Sequence, residues 1–133
     1  MRNFDTDIIN VINAFEKLTK TEVRDCICSD AVYFLINTGK MAITIGKNGQ
    51  NIKNAERILK KPIKVFEWNE GIEEFIKNMI PQAQKISING EKVTVTITVE
   101  TRGAVIGRGG GNIKAIREFL SRNSNIKELK ILP

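Results

Sequence analysis

Residues 45–59, Ile-Gly-Lys-Asn-Gly-Gln-Asn-Ile-Lys-Asn-Ala-Glu-Arg-Ile-Leu, return later in the chain as residues 106–120, Ile-Gly-Arg-Gly-Gly-Gly-Asn-Ile-Lys-Ala-Ile-Arg-Glu-Phe-Leu. The two segments align without a gap, and both contain a Gly-x-x-Gly motif followed by Asn-Ile-Lys. Lys47 and Arg108 match in charge. This extended match indicates an internal repeat, because chance supplies two shared glycines far more readily than the whole pattern.

The flanks of the two motifs repeat as well. Strand-like runs at 22–28 and 31–37 precede the first motif, and runs at 85–88 and 92–99 precede the second. Asn89-Gly90, between the last two runs, predicts a hairpin with a type I′ turn. Each motif is followed by a helix and a short strand, at 63–68 and at 126–132. A helical apolar pattern precedes each hairpin, and Pro81 ends the second of these helices.

These patterns predict an α+β protein of two tandem units, residues 1–68 and 69–133. A short helix-like stretch before each glycine motif completes the order α-β-β-α-α-β, with a three-stranded sheet covered by helices. No long polar linker separates the halves. Because units of this size bury little apolar surface alone, we expect them to pack against each other.

Positive charge is concentrated around the two motifs. The chain of 133 residues carries a net charge of +6. Residues 40–64 contain seven basic side chains and one acid, and residues 101–122 contain five basic side chains and one acid. Charge gathered on two glycine-containing segments indicates two anion-binding sites.

Several functional classes are excluded by composition. No apolar run is long enough to span a membrane, and the N-terminus does not resemble a signal peptide, so we expect a cytoplasmic protein. Without histidine, the two cysteines Cys26 and Cys28 cannot complete a four-ligand zinc site, and we expect two buried, reduced thiols. The lack of histidine also removes most general-base schemes at neutral pH. We therefore predict no catalytic residue, metal, cofactor or small-molecule substrate, and no enzymatic activity.

A Gly-x-x-Gly turn between two helices can hold a phosphate. Glycine permits the unusual backbone angles and close approach, and the following helix offers unpaired N–H groups at the positive end of its dipole. Lys47 and Arg108 add charge, and flanking isoleucines can line a narrow groove for unpaired bases. The predicted RNA-binding residues are Ile45, Gly46, Lys47, Asn48, Gly49, Ile52 and Lys53, with Ile106, Gly107, Arg108, Gly109, Gly110, Ile113 and Lys114. Gly111 should loosen the second loop and weaken the start of its helix.

The unit order and the segments 43–53 and 104–114 resemble the type II KH fold, and the tandem pair is similar to the archaeal NusA-like transcription factors. The resemblance covers essentially the whole chain. It implies that each loop clamps the backbone of single-stranded RNA, that the two units form one extended RNA surface, and that the protein acts in transcription termination or antitermination. It also implies contact with RNA polymerase. The polymerase-binding domain and OB-fold domain of bacterial NusA have no counterpart in these 133 residues.

Two alternatives stay open on the sequence. The same chemistry would suit an RNA-binding protein of ribosome assembly or RNA processing. A protein–protein adaptor that uses the KH surface for docking would instead bind RNA weakly and without salt dependence. A nucleotide-binding enzyme is disfavoured, because Asn112 stands where a dinucleotide-binding loop has its third glycine.

Overall fold

Each half of the chain folds as an antiparallel hairpin that is extended by one parallel strand. The computed structural model describes residues 6–133, and it divides into two units, with the first ending at Trp68 and the second starting at Asn69. The first sheet has the strand order β1-β2-β3 and the second β4-β5-β6. The predicted α+β class and the order α-β-β-α-α-β are confirmed in both halves.

The elements of the first unit are α1 (Thr6–Thr19), β1 (Val23–Cys28), β2 (Val32–Ile36), α2 (Met41–Ile45), α3 (Gln50–Leu59) and β3 (Ile63–Glu67). Those of the second are α4 (Ile72–Met79), β4 (Lys85–Asn89), β5 (Lys92–Thr96), α5 (Arg102–Ile106), α6 (Gly111–Asn123) and β6 (Glu128–Leu132). A short 3₁₀ turn connects the two helices that flank each glycine motif, at Lys47–Gly49 and at Arg108–Gly110.

The core of the first unit joins α1 and α3 to the sheet. The rings of Phe15 on α1 and Phe34 on β2 stack with centroids 3.7 Å apart, and both side chains are fully buried. Ala55 on α3 belongs to the same cluster. Since burying an aromatic side chain removes a large apolar area from water, this cluster anchors α1 to the sheet together with α3, the helix that follows the first glycine motif.

Three predicted details of the second sheet are corrected. Strand β5 ends at Thr96 instead of reaching Val99, because Thr98 and Thr101 form a turn in which Thr101 N–H donates to the Thr98 carbonyl at 3.2 Å. Strand β6 begins at Glu128 instead of at residue 126. The hairpin loop is Gly90–Glu91, since Asn89 pairs with Lys92. Only the glycine of this loop has a positive φ, so the turn is not type I′.

Cys26 and Cys28 are both in the reduced state, with their Sγ atoms 3.9 Å apart. Cys26 is buried as predicted, whereas Cys28 is partly exposed and the prediction was wrong for it. None of the helices in residues 6–133 is long and apolar enough to cross a membrane.

Candidate nucleic-acid interface

The two glycine loops have the same backbone conformation. The first glycine has φ and ψ of 80° and 171° at Gly46, and of 78° and 170° at Gly107. The third motif position is left-handed in both loops, with φ of 55° at Asn48 and 62° at Gly109. Gly49 and Gly110 follow at φ of 71° and 76°. The match shows that the sequence repeat is a repeat of local structure.

The first glycine of each motif is required by packing inside the loop. A Cβ at Gly46 would lie 2.7 Å from Asn51 Cγ, and a Cβ at Gly107 would lie 2.6 Å from Asn112 Cβ. We predicted that these glycines allow an RNA backbone to approach. The structure gives a different reason, because the space beside them is filled by the asparagine of the following helix.

The second glycine of each motif faces open space. A Cβ at Gly49 or at Gly110 would have no heavy atom within 4 Å beyond its chain neighbours. These two positions fit the predicted close approach of another backbone. Gly49 and Gly110 are also the N-cap residues of α3 and α6, and no side chain caps either helix. The first-turn N–H groups of both helices thus lie beside an open glycine, at the positive end of the dipole.

Exposed basic side chains surround the open glycines. Lys47 and Arg108, in the middle of the two motifs, are exposed, and so are Asn48 and Gly109 next to them. Lys53 and Lys114, one turn into α3 and α6, are also exposed. The predicted cations are therefore brought to the start of each helix, where a phosphate would be bound by N–H groups and by a side-chain charge together.

A groove lies between the first loop and strand β3. It has a volume of about 420 Å³ and is lined by Ile45, Gly49, Ile52, Lys53, Glu56, Ile63, Lys64 and Val65. The predicted base-supporting residues Ile45 and Ile52 are both partly exposed on this surface. An open groove with an aliphatic wall and a glycine rim suits an unpaired base, because a duplex hides its base faces.

Strand β3 presents backbone groups along the open side of this groove. Val32 N–H donates to the Pro62 carbonyl at 2.9 Å, and Trp68 N–H donates to the Ile36 carbonyl at 2.8 Å. In a parallel pair, every second residue of a strand hydrogen-bonds to its neighbour. The N–H and C=O groups of Ile63 and Val65 therefore point away from β2. Since β3 is the last strand of its sheet, these groups face the groove.

The second unit differs from the prediction at one position. Ile113, predicted to support a base, is only 4% exposed and belongs to the buried core. Its counterpart Ile52 is partly exposed. Ile106 is also partly exposed. The second loop consequently keeps the backbone conformation of the first, but Ile113 offers no open apolar surface to a base in this conformation.

Asn51 and Asn112 are structural residues of the loop that sequence reasoning missed. Asn51 Nδ2 donates to the Ile43 carbonyl at 3.1 Å, and Asn112 Nδ2 donates to the Val105 carbonyl at 2.9 Å. Each amide ties the helix after the loop to the helix before it. The signal was present in the sequence, because this asparagine occupies the same place in both copies of the motif.

Glu56 and Arg117 occupy matched positions on α3 and α6 but carry opposite charge. Glu56 Oε2 accepts from the N–H of Ile63 at 3.0 Å. Arg117 donates to the Leu129 carbonyl, from Nη2 at 3.2 Å and from Nε at 3.4 Å. Each side chain therefore binds a backbone group near the start of the strand beside it. Glu56 accepts a hydrogen bond there, whereas Arg117 donates one.

Lys64, which also lines the groove, has a shifted pKa. Burial lowers the pKa of Lys64 from its ordinary value of 10.5. Its Nζ atom lies 5.8 Å from the ring centroid of Phe66, a contact that favours the charged form.

Comparison with known proteins agrees with this geometry. A family model described as the KH domain matches residues 11–70 and again residues 67–131. A protein of Methanococcus vannielii named "Probable transcription termination protein NusA" is 30% identical over 135 residues, which cover 96% of this chain and 78% of the relative. The protein of the same name in Methanocaldococcus jannaschii is 28% identical over 134 residues, covering 96% and 73%.

A solved structure is similar over nearly the same length. "Crystal structure of APE1850" matches with a TM-score of 0.74 and 26% identity, and the match covers 96% of this chain and 99% of that one. The family match extends over both units, and the resemblance drawn from the two glycine motifs is confirmed. The chain belongs to the KH domain family, and within it to the archaeal NusA-like proteins.

Proposed function

We propose that this protein binds single-stranded RNA through its two glycine loops and acts in transcription as a termination or antitermination factor of the NusA type. One observation carries the proposal. Two loops of the same backbone conformation each place an open glycine, an uncapped helix start and an exposed cation side by side.

Phosphate binding follows from this arrangement. The first turns of α3 and α6 have no side-chain cap, and an anion bound there would lie at the positive end of each helix dipole. No acidic side chain lies in the first turn of either helix. Lys47 and Arg108 then add a charge-assisted contact to the same phosphate.

The preference for single strands rests on the first groove. Its aliphatic wall, formed by Ile45 and Ile52, is accessible, and the backbone of Val65 borders the opposite side. A flat, unpaired base fits between two such surfaces and can be reached by backbone hydrogen bonds. A base in a duplex offers neither its face nor its pairing edge.

The role in transcription is supported by the relatives. The archaeal proteins that this chain resembles over 96% of its length carry the name of a probable transcription termination protein. We propose binding to nascent RNA in the cytoplasm, with contact to RNA polymerase, and a function in binding rather than in catalysis.

Charge reversal at the loops tests the proposal. One variant carries Lys47→Asp with Asn48→Asp, and a second carries Arg108→Asp with Gly109→Asp. Aspartate tolerates the left-handed backbone at Asn48 and Gly109, so the fold should persist. We expect each variant to lose about tenfold or more in affinity for a single-stranded RNA, measured by fluorescence anisotropy.

The matched control makes the same change in charge on α1, with Lys17→Asp and Asn13→Asp, both exposed and outside the loops. It should lose much less affinity than either loop variant. Circular dichroism checks that every variant is folded. If the folded loop variants bind RNA as tightly as the control, the loops are not the binding site and the proposal fails.

A further inference from the structure

The residues that line the first groove have counterparts in the second unit. On the helices, Ile52 of α3 is matched by Ile113 of α6, at the constant offset between the two glycine motifs. On the strands, Leu129 of β6 is the counterpart of Ile63 of β3, because each pairs with the equivalent valine of the central strand. The first pair compares the helix side of the groove, and the second pair compares the strand side.

Both sides of the groove are closed at these positions in the second unit. Ile52 and Ile63 are partly exposed and line the groove of about 420 Å³ beside the first loop. Ile113 is only 4% exposed, and Leu129 is only 6% exposed. The apolar surface that the first unit offers to a base from its helix and from its strand is therefore buried at both counterpart positions.

The open space also differs in its relation to the loop. Ile45 and Gly49, at the two ends of the first loop, are among the residues that line the first groove. In the second unit, a cavity of about 170 Å³ is lined by Arg117, Leu120, Ile126, Lys127, Glu128 and Leu129. None of these lining residues belongs to the second loop, residues 106–110. A base held beside the first loop can enter the groove, whereas this cavity does not border the second loop.

Part of the apolar surface is retained in the second unit. Ile106 and Ile131 are partly exposed, as are their counterparts Ile45 and Val65. Two of the four matched apolar positions are thus open in the second unit, against all four in the first. Because the free energy of an apolar contact grows with the area that it covers, the second unit offers less to the face of a base.

We infer that the first unit selects the base and that the second unit binds only the sugar-phosphate backbone of the RNA. The second loop keeps the open Gly110, the uncapped start of α6 and the exposed Arg108, which are the features proposed to bind a phosphate. Phosphate contacts position a strand without reading its sequence. The inference rests on the proposed RNA binding and adds to it that the ligand of the second site is a backbone of any sequence.

Oligonucleotides with and without bases separate the two kinds of contact. The chain with Arg108→Asp and Gly109→Asp keeps only the first loop, and the chain with Lys47→Asp and Asn48→Asp keeps only the second. The probes are fluorescent eight-nucleotide oligo(A), oligo(C) and oligo(U), and an abasic ribose-phosphate chain of the same length and charge. Fluorescence anisotropy at one salt concentration gives the four affinities of each protein.

The two single-loop proteins should respond differently to the loss of the bases. With only the first loop, we expect the best base-containing probe to bind about tenfold more tightly than the abasic chain, because bases contact the groove. With only the second loop, all four affinities should agree within about twofold. If the second-loop protein distinguishes the probes as strongly as the first-loop protein does, or if the first-loop protein does not distinguish them, this inference is overturned and the proposed function stands.

A matched pair of substitutions makes the same test with both loops intact. Ile52→Ala removes apolar surface from the first groove and should lower the ratio of base-containing to abasic affinity about threefold. Ile131→Ala makes the same truncation at a partly exposed position of the second unit and should leave that ratio unchanged. Circular dichroism checks that both variants are folded. An equal change of the ratio in the two variants overturns the inference, and a parent protein that binds none of the four probes overturns the proposed function as well.

Discussion

The two glycine loops share a backbone and differ in what surrounds it. At the first glycine, Gly46 and Gly107 agree within a few degrees in both angles. Around this common backbone, Ile52 is partly exposed while its counterpart Ile113 is buried, and Glu56 is matched by Arg117. The loop backbone proposed to bind a phosphate is thus kept twice, and the surface proposed to contact a base has diverged.

This difference separates two tasks that a KH unit performs. Phosphate contacts fix the position of a strand but carry no information about its sequence, whereas side chains beside the bases supply the information. In the proposed function, two units with equal loops and unequal surroundings contact a phosphate alike and a base differently.

The largest expected effect is that of Gly107→Ala. The new Cβ would lie 2.6 Å from Asn112 Cβ, at a φ of 78° that an alanine rarely adopts. We expect a loss of about 3 kcal/mol in the free energy of unfolding, measured by guanidinium denaturation. Gly46→Ala should cost a similar amount, because its Cβ would lie 2.7 Å from Asn51 Cγ.

Gly110→Ala and Gly49→Ala are the matched controls. Both glycines have a positive φ, but a Cβ would meet nothing within 4 Å beyond its chain neighbours. Only the left-handed backbone is then penalised, and we expect a cost of about 1 kcal/mol. If alanine at the first glycine of each motif lowers the free energy of unfolding no more than alanine at the second, contact with the asparagine is not the reason that glycine is required at the first.

The next effect compares the two asparagines. Asn112 is 7% exposed and its hydrogen bond to the Val105 carbonyl is buried, so Asn112→Ala should cost about 1 kcal/mol of stability. Asn51 makes an exposed bond, and Asn51→Ala should cost less than half as much. Denaturant unfolding of the two variants measures the difference. A larger loss for Asn51→Ala would contradict this ranking.

Most of the fold follows from patterns that the sequence displays directly. The alternation of valine and isoleucine with threonine predicted β5, and the repeated motif predicted the second unit from the first. The end of β5 was missed because Thr98 and Val99 continue the alternation, whereas the hydroxyls of Thr98 and Thr101 form a turn. A local hydrogen bond between side chains overrode the strand pattern there.

The site was predicted less completely than the fold. The loop glycines and the cations Lys47 and Arg108 follow from the motif alone. The burial of Ile113 does not, because Ile52 stands at the same place in an otherwise similar pattern. The partners of Glu56 and Arg117 lie on strands that follow helices of different lengths, and only the register of those strands brings them together.

A smaller effect is expected on the salt dependence of RNA binding. Lys47→Gln removes one cation beside a phosphate. The slope of log affinity against log salt should then become less steep by about 0.7, the value for one phosphate of a single strand. Arg108→Gln should do the same at the second loop. Affinities measured between low and physiological salt give the slopes, and an unchanged slope in both variants would show that neither cation is at a phosphate.

The smallest effect concerns the titration of Lys64. Burial lowers the pKa of Lys64 below 10.5, so the unfolded chain binds more protons than the folded chain between the lowered pKa and 10.5. Stability contributed by this group therefore rises with pH across that interval. The free energy of unfolding of Lys64→Gln should lack this rise. Its difference from the parent's free energy of unfolding should be constant near neutral pH and should change as the pH approaches 10.5. If the free energies of unfolding of the parent and of Lys64→Gln change in parallel with pH up to 10.5, the lowered pKa of Lys64 is contradicted.

The most direct test of the account is a titration of the protein with single-stranded RNA, followed by the backbone amide signals in NMR spectra. The account predicts the largest changes at the amides of residues 47–52 and 108–113, where the open glycines begin α3 and α6. Duplex RNA of equal length should cause smaller changes. Large changes elsewhere on the chain, with both of these segments unaffected, would contradict the claim that the twin loops hold the RNA.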